Sequence, residues 1–69
     1  MEYKAEMVAS VFKVLTEAGA EVVAGDSLLI LESMKMEIPV VAESSGRVHE
    51  VCVVEGDVVG EGDALVIVV

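Results

Sequence analysis

The sequence predicts an all-β domain, a small sandwich or barrel, and three observations predict it. The apolar residues are mostly β-branched and fall in short runs with no helical period. Turn residues break those runs at regular spacing: Gly19, Gly25-Asp26, Gly56-Asp57 and Gly62-Asp63. The chain also repeats itself. A shift of 37 residues lays Ala5–Leu31 on Ala42–Val68 with ten of 27 positions identical, in the pattern Gly-x-x-Val-x-x-Gly-Asp-x-Leu-x-Ile. One repetition is too few for a solenoid. It implies a pseudo-two-fold domain in which each half completes the other's core.

The elements follow in order. Tyr3 to Met7 reads as an edge strand, with Tyr3 a packing residue. Val11-Phe12-Lys13-Val14-Leu15 is a strand, apolar on both faces apart from Lys13. Glu17-Ala18-Gly19-Ala20 turns, Glu21-Val22-Val23 extends, and Ala24-Gly25-Asp26-Ser27 turns again. Leu28 to Glu32 and Met36 to Ala42 are strands joined by a short polar link, a β-hairpin. Pro39 lacks a backbone donor, which places the second of them at an edge or a bulge. Glu43-Ser44-Ser45-Gly46 is a loop and Arg47 to Val54 a strand. Glu55-Gly56-Asp57 turns, Val58-Val59 extends, Gly60 to Asp63 turns, and Ala64 to Val69 is the last strand.

Sixty-nine residues make a single domain, 1–69. A chain of this size buries only about 60% of its unfolded surface, so its core must be well filled. Here 55% of residues are hydrophobic, with one Tyr, one Phe and no Trp, which suits a thin valine-packed core better than a deep ligand pocket. The formal net charge of -9 opposes binding to nucleic-acid phosphates and favours basic surfaces on partner proteins. One cysteine excludes an internal disulfide and fits a reducing compartment. One Cys and one His do not make a zinc site. The first residues lack the basic and apolar regions of a signal peptide, and no apolar run approaches the ~20 residues of a membrane span. A cytoplasmic protein is expected.

The chain is organised around Glu32-Ser33-Met34-Lys35-Met36-Glu37, with Lys35 at or beside the hairpin tip. A lysine in a turn is ordinarily just solvated and discourages aggregation. This one lies between two methionines, side chains over-used where a surface is gripped by another protein. Glu32 and Glu37 bracket it, either to keep the tip soluble or to be read by a modifying enzyme. In the repeat, the counterpart of Lys35 falls in the gap between the termini, which puts the termini at the far end from the amine.

Catalytic constellations are missing. His49 is the only histidine; the repeat sets it opposite Phe12, a packing position, and it reads as a partly buried or surface strand residue, not a general base. Cys52 sits among valines and reads as a small core hydrophobe with no cation to activate it. Asp26, Asp57 and Asp63 lie in turns, where a structural role suffices, and no Gly-rich run leads to Lys-Ser or Lys-Thr. One exposed amine without machinery to use it points to a chain that carries or binds, not one that catalyses.

Glu32-Ser33-Met34-Lys35-Met36-Glu37, continuing through Ile38-Pro39-Val40-Val41-Ala42 and Ser45-Gly46, resembles the biotinyl domain of biotin-dependent carboxylases. Val11–Leu15 and Gly19-x-x-Val22-x-x-Gly25-Asp26-x-Leu28 match as well, so the resemblance spans nearly the whole chain. In its short form the chain resembles the biotin/lipoyl attachment proteins. The resemblance implies a flattened antiparallel β-barrel of two four-stranded sheets with pseudo-two-fold symmetry. It implies that a biotin protein ligase attaches biotin covalently to Lys35, with Met34, Met36, Glu32 and Glu37 forming the recognition patch. The biotin would then shuttle a carboxyl group between biotin carboxylase and carboxyltransferase, on a domain that is monomeric when isolated and binds no metal, nucleic acid or membrane. The chain departs from the family's Ala-Pro-x-x-Gly before the first long strand, where Ala5-Glu6-Met7-Val8-Ala9-Ser10 has neither Pro nor Gly. It also has no thumb insertion and no Pro/Ala-rich linker. Lipoate on the same Lys35, or acceptance of either cofactor there, is the nearest alternative, although lipoyl tips usually read Asp-Lys-Ala. An unmodified interaction module is the alternative of a different class.

Overall fold

Eight strands and no helix make up the computed structural model, which describes residues 1–69. They are β1 (Glu2–Lys4), β2 (Ala9–Val14), β3 (Glu21–Val22), β4 (Ser27–Ser33), β5 (Met36–Val41), β6 (Gly46–Val51), β7 (Val58–Val59) and β8 (Ala64–Val68). They pair as two four-stranded antiparallel sheets, ordered β1-β8-β6-β3 and β5-β4-β2-β7. The expected architecture of two four-stranded antiparallel sheets is therefore the one observed, although the molecule is elongated, 30 × 18 × 17 Å, and not flattened. The 37-residue repeat relates the sheets directly. It carries β1, β2, β3 and β4 onto β5, β6, β7 and β8, and so exchanges one sheet for the other.

The core obeys the same symmetry. Of the 14 buried residues, twelve form six pairs 37 apart: Ala5/Ala42, Val11/Val48, Val22/Val59, Leu28/Leu65, Leu29/Val66 and Leu31/Val68. Tyr3 and Ala9 complete the set, and the buried Tyr3 satisfies its hydroxyl by accepting the Glu43 N–H at 2.9 Å. The turns lock the halves reciprocally. Gly25 and Gly62 take φ of 94° and 90°, which a side chain would strain. Their N–H groups donate to the carbonyls of Ala42 and Ala5, both at 2.8 Å, each in the opposite half. Asp26 and Asp63 close these turns by accepting the N–H of Val23 and Gly60 at 3.0 and 2.8 Å.

Three expectations are corrected here. The β2–β4 register shifts between Val11 and Lys13, so Phe12 sits in a bulge and is 42% exposed instead of packed. The equivalent shift in β6–β8 falls at His49, which is likewise exposed. These bulges let Val11 and Val14, and Val48 and Val51, turn inward across two exposed residues, where an unbroken strand would bury alternate positions. Leu15 lies beyond β2 and is exposed. Cys52 lies just past β6 and is exposed too, because the strand ends at Val51 and only its N–H, donated to Leu65 O at 2.8 Å, stays in the ladder. Partial desolvation, then the negative charges of Glu50 and Glu2, push its thiol pKa up.

Candidate functional site

β4 and β5 are the only strands that are both consecutive in the chain and hydrogen-bonded neighbours. Their ladder runs from Ser27↔Val41 to Ser33↔Met36, which leaves Met34 and Lys35 as a two-residue turn. Both take positive φ, 52° and 65°, as a type I′ turn demands. That turn normally recruits Asn-Gly, and an L-residue with a bulky side chain held there costs on the order of 1–3 kcal/mol. Met34 and Lys35 take this conformation in succession, and they are the only non-glycine residues that do.

The stem sets the directions. Leu31 and Ile38 face the interior, and Pro39 occupies the outer edge strand, where its missing N–H breaks no ladder. Two-residue alternation then puts the facing pair Ser33 and Met36 on the interior side, past the end of the packed core. Glu32 and Glu37 face each other on the outer side, a like-charged pair that water must screen. Met34 is 91% and Met36 64% exposed. Lys35 is exposed, and no carboxylate lies within ion-pair distance of its Nζ, because the two ion pairs are Lys4–Glu2 and Arg47–Glu21. The hairpin thus brings together all five residues singled out from the sequence, Glu32, Met34, Lys35, Met36 and Glu37.

The chain ends lie elsewhere. The Met1 amine donates to Val68 O, and Arg47 and Val69 exchange backbone hydrogen bonds. They gather beside the start of β6, past the end of β5 remote from the turn. Nothing from either terminus crowds Lys35. No group of three or more His, Cys, Asp or Glu side chains is placed to hold a metal ion. The largest hollow is an open groove of about 790 Å³ between β1 and β5, and neither His49 nor Cys52 lines it.

Sequence reasoning missed one residue of this site. Ser33 donates its hydroxyl to Val8 O at 3.3 Å, which ties the hairpin stem to the β1–β2 loop. Nothing local signals a contact 25 residues away.

The model of the biotin/lipoyl family, described as biotin-requiring enzyme, matches residues 3–68. The biotinylated protein TB7.3 homolog of Mycobacterium leprae is 46% identical over 67 residues, covering 97% of this chain and 94% of that one. The biotin/lipoyl attachment protein of Bacillus subtilis is 49% identical over 65 residues, covering 94% and 89%. Among solved structures, the urea carboxylase of Kluyveromyces lactis contains a region with TM-score 0.92 and 33% identity, covering 100% of this chain and 6% of that one. The chain belongs to the biotin/lipoyl family and is a carrier-type domain similar to those found within carboxylases.

Proposed function

We propose that Lys35 is the attachment point for biotin and that the domain, itself without catalytic activity, is a monomeric cytoplasmic carrier. The observation that carries this reading is an exposed, unpaired amine at the tip of a doubly left-handed turn, between two exposed methionines. The likeness to a biotinylated mycobacterial protein and to the biotin/lipoyl attachment protein of Bacillus supports it.

A biotin protein ligase would present the acyl carbonyl of biotinyl-adenylate to Lys35 Nζ. The N–C bond forms, the C–O bond to AMP breaks, and the amine proton leaves to a base of the ligase. A free lysine has a pKa of about 10.4, so the ligase must desolvate the amine or remove its proton as it docks. The extended turn lets Nζ enter a closed active site while the barrel stays outside. Met34 and Met36 would supply the apolar grip, with Glu32 and Glu37 facing basic side chains. Biotin, when attached, supplies the ring that holds a carboxyl group in transit between a biotin carboxylase and a carboxyltransferase. Tethering to Lys35 raises its effective concentration at both sites without any new contact.

The test is intact mass and peptide mapping after incubation with ATP, biotin and a biotin protein ligase. A biotinyl increment confined to the peptide holding Lys35, and absent in a folded Lys35→Ala variant, supports the proposal. Labelling that persists in Lys35→Ala refutes the site. The Bacillus relative's name favours one second reading, lipoylation of the same Lys35. Parallel incubation with lipoate and its ligase would then give the increment instead. No increment with either ligase would leave an interaction module.

A further inference from the structure

The hairpin tip has a neighbour that the carrier reading does not use. The loop between β1 and β2 passes beside the stem, and the Ser33–Val8 bond is its tether. No other residue of the β4–β5 hairpin makes a side-chain hydrogen bond. The bond consumes the Val8 carbonyl and leaves the Val8 side chain 68% exposed, next to the half-open Met7. Exposed apolar side chains on both loops, Met7 and Val8 on one, Met34 and Met36 on the other, extend the patch well beyond the turn.

Resting on the proposal that Lys35 is ligated, we infer that Met7 and Val8 belong to the surface recognised by the biotin protein ligase, with Ser33 as the positioning residue that holds their loop against the turn. Charge selects the occupant. The segments that carry these side chains are acidic: Glu6, Glu32 and Glu37 are all exposed, in a chain of net charge -9. A second copy of this chain would bring the same negative charge against it and be repelled. The fitting partner is an apolar surface bordered by Lys and Arg, on the enzyme that must already embrace Lys35.

The experiment is steady-state ligation of the full chain with purified ligase, biotin and ATP, varying the chain's concentration. Val8→Ser should raise KM about fivefold with kcat unchanged, the effect of losing one interface side chain that grips ground and transition state alike. Ser33→Ala should raise KM by a smaller factor, and Ser33→Thr, which keeps the hydroxyl, should restore it. Val23→Ser, an equally exposed change in the turn before β4 and remote from the tip, should leave both constants unaltered. Wild-type KM in both Val8→Ser and Ser33→Ala, with Lys35 still labelled, overturns this inference alone. A loss confined to kcat also overturns it. Failure to label the wild-type chain defeats the carrier reading, and this one with it.

Discussion

Met34→Asn should make the domain more stable and a poorer substrate. Met34 holds φ of 52° as the first residue of the turn. The left-handed region costs an ordinary L-residue about 1–2 kcal/mol, and asparagine is one of the few that visits it readily. With 91% of its surface exposed, the methionine side chain contributes almost no burial that the replacement would forfeit. The net gain should be about 1 kcal/mol, which in a 60–100-residue domain raises Tm by about 4–8 °C. Urea denaturation checks it more directly: the midpoint should rise with the slope unchanged, the mark of a stability change without a change in exposed area. A midpoint equal to or below that of wild type would refute the claim that the turn is strained. If Met34 is the apolar grip proposed above, ligation at Lys35 should slow in the same variant.

The remaining predictions concern the barrel. Gly46→Ala should destabilise by about 1–3 kcal/mol, as overpacking does, because a Cβ there would lie 2.5 Å from Val68 Cγ1 and 2.8 Å from the Val69 carbonyl. Gly60→Ala, with nothing nearer than 3.9 Å, is the control that chemical denaturation should show nearly unchanged. Leu28→Ala and Leu65→Ala empty equivalent, fully buried positions. Each should cost about 2–5 kcal/mol, similar in size because the symmetry gives them the same surroundings, and paired denaturation curves compare them. The raised Cys52 pKa means that the folded chain holds its proton longer than the unfolded chain. The stability it contributes is therefore present below the unfolded thiol pKa and is lost as pH rises through the folded one. Thiol alkylation at mildly alkaline pH should accordingly be slower in the native protein than in urea, and Cys52→Ser should remove that part of the alkaline decline.

Much of this was legible in the chain because the repeat states the topology twice. Gly25-Asp26 and Gly62-Asp63 mark turns whose glycines take nearly the same φ, 94° and 90°, and the matched apolar positions are the matched core. The Lys35 hairpin was legible because two apolar runs flank a short polar link. What escaped depended on geometry that composition does not encode. Phe12, Leu15 and Cys52 are apolar in type, yet bulges and strand ends leave them outside. The three-residue spacing Val11-x-x-Val14, repeated in Val48-x-x-Val51, does carry the bulge signal, because an unbroken strand cannot bury both ends of it. The Ser33–Val8 contact was out of reach because a hydroxyl's partner depends on the fold around it.

That one hairpin alone joins strands adjacent both in sequence and in space bears on how the chain folds. Every other pairing must close a longer loop, and such topologies assemble in milliseconds to seconds, whereas a hairpin forms in about 1–10 μs. The β4–β5 unit should therefore be the first native sheet fragment to form, with the rest of the barrel assembling on it. A turn shaped for display then sits at the head of the folding route, where its strain acts on the rate of assembly more than on the rate of escape. Relieving that strain with Met34→Asn should speed refolding and leave unfolding nearly untouched in stopped-flow traces. On this reasoning the hairpin that carries Lys35 should also be the first part of the domain to fold.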